Sequence, residues 1–324
     1  TCKASNDLTA KVTGASFDAR NILGGENPAP ATPATNDKPA PEAPPAKKDD
    51  TGFDVTLDLK QLWVGTRPLE NAKGKFVART DGSMVTAILD ATVESDPVTL
   101  RYTANGNEAD GLLLESSNAG RALAALGVTE RVRGGTLKIT GKPIKDGQPG
   151  DMQGALVIEK FGVRGAPAIA KLINLLSIPG LLSILEQDTG LTFDRAESEM
   201  TLLNRPGGLN IAFKEGRTTG ASLGLTFEGN VDTGADRMDI RGTVVPMSEV
   251  NSMLSSIPLV GDILTGGKKG GGIFAATYSM KGPTADPDVS VNPLSVLTPG
   301  SLRRILFEGT PSQASKPPVN KKGG

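Results

Sequence analysis

One motif in the sequence has the spacing of a serine hydrolase. Gly220-Ala221-Ser222-Leu223-Gly224 matches G-x-S-x-G, in which a tight turn between a strand and a helix exposes the serine. That chemistry needs a base to take the serine proton, and the chain of 324 residues contains no histidine. The motif also opens a strand instead of leading from a strand into a helix. We therefore interpret its glycines as turn and close-packing positions.

A second glycine-rich stretch nearly matches a phosphate-binding loop. Between Gly261 and Lys268, a glycine occupies the position of the loop lysine, and no serine or threonine follows Lys268. An apolar helical segment precedes the stretch where a strand is required. We interpret it as a basic turn between a helix and a strand, in which Lys268 and Lys269 could contact anionic lipid headgroups.

Carboxylate pairs and metal ligands indicate no catalytic site. Glu197 with Glu199, and Asp286 with Asp288, share a face of extended segments, which is the arrangement a glycosidase pair would need. Among 36 acidic residues such pairs arise by chance, and solvated strand faces explain them better. With no histidine and one cysteine, Cys2, zinc sites and histidine-ligated catalytic metals are excluded. We expect neither a cofactor nor an enzymatic activity.

The composition narrows the classes of function that remain possible for this protein. The chain has 35 Lys and Arg against 36 Asp and Glu, so its overall electrostatic field is weak and gives no reason to expect binding to nucleic acid. Aromatic residues make up 4%, which argues against stacking platforms for bases or sugars. A single cysteine permits no intramolecular disulfide, which fits the cytoplasm and a disulfide-poor periplasmic protein equally. No run of about 18 apolar residues occurs, so we expect no signal peptide or spanning helix within this sequence.

The elements that must position any site are mainly strands. From Phe53 onward, apolar and polar residues alternate, as in Val55, Leu57 and Leu59 against their polar neighbours. The alternation recurs between Asp-Gly, Asn-Gly and proline turns, which predicts about a dozen strands. Because strands do not alternate regularly with helices, a Rossmann-type sheet is disfavoured. We predict a mainly β fold, with inserted amphipathic helices and one long twisted antiparallel sheet that forms an open groove.

Three or four helical segments interrupt the strands. A short helix is predicted after Asn118, and the longest begins with Pro167 in its first turn. Three apolar stripes are candidates for contacting a membrane or gating a groove. They lie on the longest helix, on the second helical half that follows its Pro-Gly break, and on a later helix after Ser248. They can equally cover the apolar face of the sheet. The stripe residues are Ile169, Leu172, Ile173, Leu176, Leu181, Met253, Leu254 and Ile257.

The end of the chain has a specific order of parts: IPLVGDILTGGKKGGGIFAATYSMKGPTADPDVSVNPLSVLTPGSLRRILF. This run resembles the C-terminal end of the AsmA-like, YhdP-type family of Gram-negative bacteria, which is related to TamB-like bridge proteins. The similarity extends back to about Phe53 through SSNAGRALAALG, GGTLKITGK, APAIAKLINLLSIPGLLSIL and GASLGLTFEGNVD. The resemblance implies a periplasmic bridge, anchored in the inner membrane by a helix in a missing N-terminal part, that carries phospholipid toward the outer membrane along an apolar groove.

The resemblance and the composition together divide the chain. Residues 1–25 are predicted to be the N-terminal fragment of a preceding β repeat, and residues 26–51 a disordered insert rich in proline and alanine. Residues 52–308 are predicted to form an AsmA-like C-terminal β-groove domain with helical insertions. Residues 309–324 are predicted to be a disordered tail.

The resemblance also implies site residues. Partners would be phospholipid and the inner leaflet of the outer membrane or envelope proteins, with headgroup contacts from Lys268, Lys269, Arg303 and Arg304. Charged substitutions at Leu89 or Leu225 are expected to block lipid passage with little loss of fold. The alternative is an outer-membrane assembly or envelope-integrity scaffold that binds proteins and not lipid. The candidate groove-lining residues are Val55, Leu57, Leu59, Val85, Leu89, Val93, Leu100, Leu223, Leu225 and Phe227.

Overall fold

The described part of the chain forms a single sheet with two short helices. The computed structural model describes residues 8–20, 52–79, 83–104, 111–148, 150–176, 185–186, 188, 190–205, 208–246 and 273–297. The strands are β1 (Leu8–Asp18), β2 (Phe53–Trp63), β3 (Leu69–Ala78), β4 (Met84–Val93), β5 (Asp96–Thr103), β6 (Gly111–Ser116), β7 (Val132–Pro143), β8 (Met152–Val163), β9 (Leu191–Arg205), β10 (Gly208–Thr219), β11 (Leu223–Asp232), β12 (Arg237–Pro246), β13 (Ile273–Pro283) and β14 (Asp288–Leu297). The helices are α1 (Ala119–Ala125) and α2 (Pro167–Leu175).

The strands lie in the sheet in their sequence order, and the sheet is twisted and does not close. The predicted mainly β fold with an open twisted sheet is therefore confirmed. Every pair from β2 to β14 is antiparallel. The first pair differs, because β1 runs parallel to β2 with Leu8 opposite Phe53. A parallel pair cannot be joined by a hairpin, and the 34 residues from Ala19 to Gly52 supply the longer connection.

The two described helices begin where the sequence predicts. The side chain of Asn118 accepts a hydrogen bond from the backbone N–H of Arg121 (3.2 Å) at the start of α1, and Pro167 opens α2. The later helix predicted after Ser248 lies outside the described residues. So do the predicted insert, residues 26–51, and the predicted tail, residues 309–324.

The alternation of each strand separates an apolar face from a polar face. On the polar face, opposite charges meet across neighbouring strands and are largely solvent-exposed. Exposed ion pairs of this kind typically contribute less than about 1 kcal/mol each, so burial on the apolar face must hold the sheet. The pairs include Lys75–Asp54, Arg101–Asp90, Lys138–Glu115, Arg241–Glu228 and Lys281–Asp239.

Residues with left-handed backbone interrupt the alternation near one end of the sheet. Asn71, Lys160 and Glu215 have φ of 52°, 53° and 51°. In β8 the buried residues on either side of Lys160 are Ile158 and Phe161, three apart in place of two. Such irregularities bend a strand and increase its twist. Apolar residues on both sides of Asn71 and of Lys160 therefore point into the same core.

Burial on the apolar face is graded along the strands. We call the end from which α1 and α2 emerge the closed end, and the opposite end the open end. In β2, Phe53 at the open end is 45% exposed and Leu59 near the closed end is 2% exposed; in β4, Met84 is 39% and Val93 is 1% exposed. The core therefore lies at the closed end, where α1 packs against β4, β7 and β8.

We predict that the two ends contribute unequally to stability. Leu69, at the closed end of β3, is fully buried, so Leu69→Ala should lower the free energy of unfolding by about 2–5 kcal/mol through lost burial and a residual cavity. The matched control is Leu209→Ala at the open end of β10, where the side chain is 41% exposed and the loss should be within about 0.5 kcal/mol. Urea denaturation followed by circular dichroism measures both, and equal losses would contradict the graded core.

Candidate functional site

The register aligns one uncharged residue from every strand into a continuous row across the apolar face. Each member is directly paired with the next, and Tyr102 is the only one with a polar side chain. We call this set the central row. Its members are Ala10, Val55, Phe76, Ala87, Tyr102, Leu112, Gly141, Gly154, Met200, Phe213, Gly229, Ile240, Met280 and Val289.

A second row runs beside the central row, one pair nearer the closed end, through β1 to β8. Leu89 pairs with Leu100, and Leu100 pairs with Leu114. Because neighbouring strands lie about 4.8 Å apart, a row of this kind brings branched apolar side chains into contact at every step except the two at Gly74, which has no side chain. The whole second row is Val12, Leu57, Gly74, Leu89, Leu100, Leu114, Ile139 and Leu156.

Glycines in the central row let the backbones approach closely. A Cβ placed on Gly154 would lie 1.8 Å from the carbonyl oxygen of Thr140 in β7. No larger residue fits there without moving the backbone. Gly154 and its partner Gly141 therefore contribute no side chain of their own to the row at this point.

The central row is covered more fully toward β14. In β1 to β8, six of its eight members are half-buried, the exceptions being Ala87 and Gly141. In β9 to β14, Met200, Ile240 and Met280 are buried. Helix α2 packs against β14, in this second half of the sheet. The apolar face is thus more accessible in its first half.

All ten groove-lining candidates lie on the apolar face, and they divide by burial. Leu59, Leu89, Val93, Leu223 and Leu225 are between 1% and 8% exposed and belong to the closed-end core. The other five, which are half-buried and available to a ligand, are Val55, Leu57, Val85, Leu100 and Phe227.

The expected tolerance of Leu89 and Leu225 to charge is wrong. Their side chains are 5% and 8% exposed, so a charged group there would be buried without a partner and would disrupt the fold. The sequence pattern shows which face of the sheet these residues occupy, but it does not show how deeply they are buried. Half-buried neighbours on the same rows, such as Leu100 and Leu114, are the positions that can be altered from the ligand side.

The candidate helix residues of α2 face the protein. Leu172, Ile173 and Leu176 are 0%, 1% and 7% exposed, and Ile169 is half-buried against the same core. In this arrangement α2 covers part of the sheet and does not present its stripe outward. The remaining candidates lie outside the described residues: Leu181, Met253, Leu254, Ile257, Lys268, Lys269, Arg303 and Arg304.

The polar motifs of the sequence take structural roles. A Cβ on Gly220 would lie 2.3 Å from the carbonyl oxygen of Thr192, which confirms the close-packing interpretation of that glycine. Hydrogen bonds from Arg195 (2.7 Å) and Arg217 (2.6 Å) hold the pKa of Glu197 below its usual range, so this carboxylate stays ionised. Asp286 pairs with Lys171 and not with Asp288.

A shallow cavity of about 590 Å³ opens on the polar face of β10 to β14. Its cationic side chains, Arg217 and Arg241, are already paired with Glu197 and Glu228 at 2.6 and 2.8 Å. Those pairs leave little uncompensated charge for a ligand. The apolar face remains the stronger candidate site.

A buried hydroxyl anchors the apolar face in β13. The Tyr278 hydroxyl donates to the carbonyl oxygen of Thr226 in β11 (2.8 Å), and it reaches that atom across Gly242 in β12. The Thr226 hydroxyl in turn accepts from the backbone N–H of Thr243 (2.9 Å). Burial raises the pKa of Tyr278 above its ordinary value.

Comparison with protein-family models, with curated proteins and with solved structures gives no match. Within the described ranges, no three His, Cys, Asp or Glu side chains converge as metal ligands would. In the same part of the chain, neither helix is long and apolar enough to span a membrane.

Sequence reasoning missed most of the central row. Phe76 and Phe213 lie within predicted strands, but the local pattern does not assign their faces, and Tyr102 and Leu112 follow the apolar alternation without being among the candidate site residues. The signal was present, because hairpin turns fix the register and the register carries the face from one strand to the next. The contact between α2 and the β13–β14 turn left no sequence signal, since it joins residues more than a hundred positions apart.

Tyr278→Phe should lower the free energy of unfolding at neutral pH by about 1–3 kcal/mol, because the Thr226 carbonyl loses its donor. A raised pKa means that the folded state holds the phenol proton more tightly than the unfolded state does. This stabilisation is complete below the ordinary value of 10.0 and is lost as pH rises above it. The Phe variant should lack that alkaline loss, and Tyr102→Phe should keep it. Urea denaturation between about pH 8 and 11 measures the difference, and parallel curves would contradict it.

Proposed function

We propose that this chain is a non-enzymatic segment of a periplasmic bridge that carries phospholipid along the apolar face toward the outer membrane. The observation that supports it is the central row, which crosses all 14 described strands without a charged residue. Acyl chains would lie on the half-buried residues of the two rows, and headgroups would remain in water.

The energetics favour such a surface. Exposing a 16-carbon acyl chain to water costs on the order of 13 kcal/mol, at about 0.8 kcal/mol for each methylene. A continuous apolar row removes most of that barrier at every step between strands. An interruption by one charged side chain would restore part of it.

The length of the row favours a track over a single binding pocket. At about 4.8 Å for each strand spacing, it extends roughly 60 Å. One leaflet of a bilayer core is about 15 Å thick, so several acyl chains fit along the row end to end. A protein that holds one lipid molecule needs far less apolar length.

The open end offers an entry for acyl chains. Leu8, Phe53, Met84 and Leu209 are between 39% and 54% exposed, and all lie at that end of the apolar face. Leu8 pairs directly with Phe53, so two of them form a continuous exposed patch. Exposed apolar patches of this kind mark ligand or membrane contacts more often than isolated residues do.

The proposal also includes a location and contacts. The protein would lie in the periplasm of a Gram-negative bacterium, with an inner-membrane anchor in an N-terminal part. It would contact the inner leaflet of the outer membrane or envelope proteins. The support for this location and these contacts is the resemblance to the AsmA-like, YhdP-type family. The apolar face is independent of that resemblance, because it follows from strand register alone.

A scaffold that binds envelope proteins is the second candidate. The observation that favours it is the open sheet, in which β1 and β14 are edge strands within the described part of the chain. The exposed backbone groups of such edges can pair with a strand of another protein. A crosslinker on β1 that captured protein, with none of the apolar-face crosslinkers capturing lipid, would support the scaffold.

Adjacent residues on opposite faces allow a matched crosslinking test. Leu114 lies on the apolar face opposite Leu100, and Leu113 lies on the polar face opposite Arg101. With a photo-crosslinking amino acid at each position in turn, we expect phospholipid adducts by mass spectrometry at 114 and none at 113. Equal capture at both positions, or none at 114, would overturn the lipid proposal.

The same pair allows a transfer test. Leu114→Arg should reduce phospholipid transfer between donor and acceptor vesicles at least tenfold, because the second row would then carry a charge beside Leu112 of the central row, close to acyl chains on either row. Leu113→Arg should leave transfer within about twofold, since this position lies on the polar face, opposite Arg101 and away from both rows. Thermal denaturation confirms that both variants are folded, and normal transfer by folded Leu114→Arg protein would count against the track.

A further inference from the structure

Helix α2 occupies space on the apolar face that an acyl chain would need. The helix leaves the sheet between β8 and β9, yet it packs against β14 at the far edge. Its buried side chains Leu172, Ile173 and Leu176 belong to the same hydrophobic cluster as Phe193 and Met280 of the sheet. The protein therefore fills part of its own apolar face with a helix.

The base of this insertion is fixed to the sheet. The backbone N–H of Gly165 donates to the carbonyl oxygen of Leu185 (3.3 Å), and Arg164 pairs with Asp188 (3.0 Å). A Cβ on Gly190 would lie 2.1 Å from the carbonyl oxygen of Val163, so the two ends of the insertion are in close backbone contact. Any movement of the helix must begin beyond this base.

The residues just before the helix provide a pivot. Gly165 has a φ of 56° and open space around the position where a Cβ would be. Ala166, the residue at the N-cap, supplies no side-chain hydrogen bond to the first turn. Glycine with free space can change its backbone angles at little cost, so few contacts resist rotation of α2 here.

One polar contact ties the helix to the β13–β14 turn. The Lys171 ammonium lies 2.8 Å from a carboxylate oxygen of Asp286 and donates to the carbonyl oxygen of Pro287 (2.9 Å). The two side chains are 40% and 72% exposed. Ion pairs this exposed contribute little to stability and are screened by salt. The tie is therefore weak enough to open.

We propose that α2 is a displaceable plug of the apolar face, held in place by the Lys171–Asp286 pair and displaced by acyl chains. The inference rests on the proposed function and adds its regulation. The buried contacts of Leu172, Ile173 and Leu176 are of the same apolar kind as those an acyl chain would make. Exchange of one for the other therefore leaves the buried apolar area nearly unchanged, and lipid can shift the helix between two positions.

A reversible crosslink tests the plug. Lys171→Cys and Asp286→Cys are combined with Cys2→Ser, which removes the one native cysteine, and the pair is joined by a bis-maleimide with a cleavable disulfide. We expect the linked protein to take up at least tenfold less fluorescent phosphatidylethanolamine from liposomes than the unlinked protein. Cleavage of the linker should restore uptake.

A second measurement needs no lipid. In a Cys2→Ser background, Ile173→Cys should react with maleimide several-fold faster when Lys171→Ala removes the tie, because α2 then leaves the face more often. The matched control is Lys281→Ala, which breaks an equally close exposed pair with Asp239 (2.9 Å) on the polar face and should leave the rate unchanged. Equal rates in the Lys171→Ala and Lys281→Ala variants would overturn the tie.

The outcomes separate this inference from the proposed function. Equal uptake by linked and unlinked protein would overturn the plug and leave the lipid track standing. No uptake by either form would overturn the lipid track, and the plug with it. Lower uptake only in the linked form, restored by cleavage, supports both.

Discussion

The constraint on which the structure depends is that one face of a long sheet is apolar and must be taken out of water. Cross-strand ion pairs on the opposite face are exposed and add little, so burial at the closed end carries the fold. The left-handed positions Asn71 and Lys160 concentrate that burial by turning the residues on both sides of each toward one core. Few described elements remain to cover the open end. The unequal cover of the two ends follows from how the strands bend.

The two faces could be predicted from the sequence because they depend on a local pattern. Val55, Leu57 and Leu59 alternate with polar neighbours, and side chains two apart must share a face of a strand. Turn chemistry then fixes the neighbours, so a meander of antiparallel strands follows as well. Asn118 and Pro167 marked the two described helices for the same reason, since capping depends on residues within one turn.

What could not be predicted depends on contacts between distant segments. The parallel pairing of β1 with β2 depends on how residues 19–52 return, and no local pattern records that. The depth of Leu89 and Leu225 depends on the bends and on the cover at the closed end, whereas alternation gives only their face. The position of α2 against β14 depends on the twist accumulated over the intervening strands, which brings Lys171 to Asp286.

The division of the sheet into a packed end and an open end also explains how one apolar face can serve both stability and binding. A face covered along its whole length would be stable but would offer nothing to a ligand, and a face left wholly bare would cost more free energy than the fold could supply. Here Leu69, Val98 and Leu191 are at most 1% exposed, and residues on the same face toward the other end remain half-buried. Because the packed end holds the strands in register, the row at the open end keeps its alignment even though little covers it. Continuity of an apolar surface across many strands thus depends on side chains that a ligand would never touch.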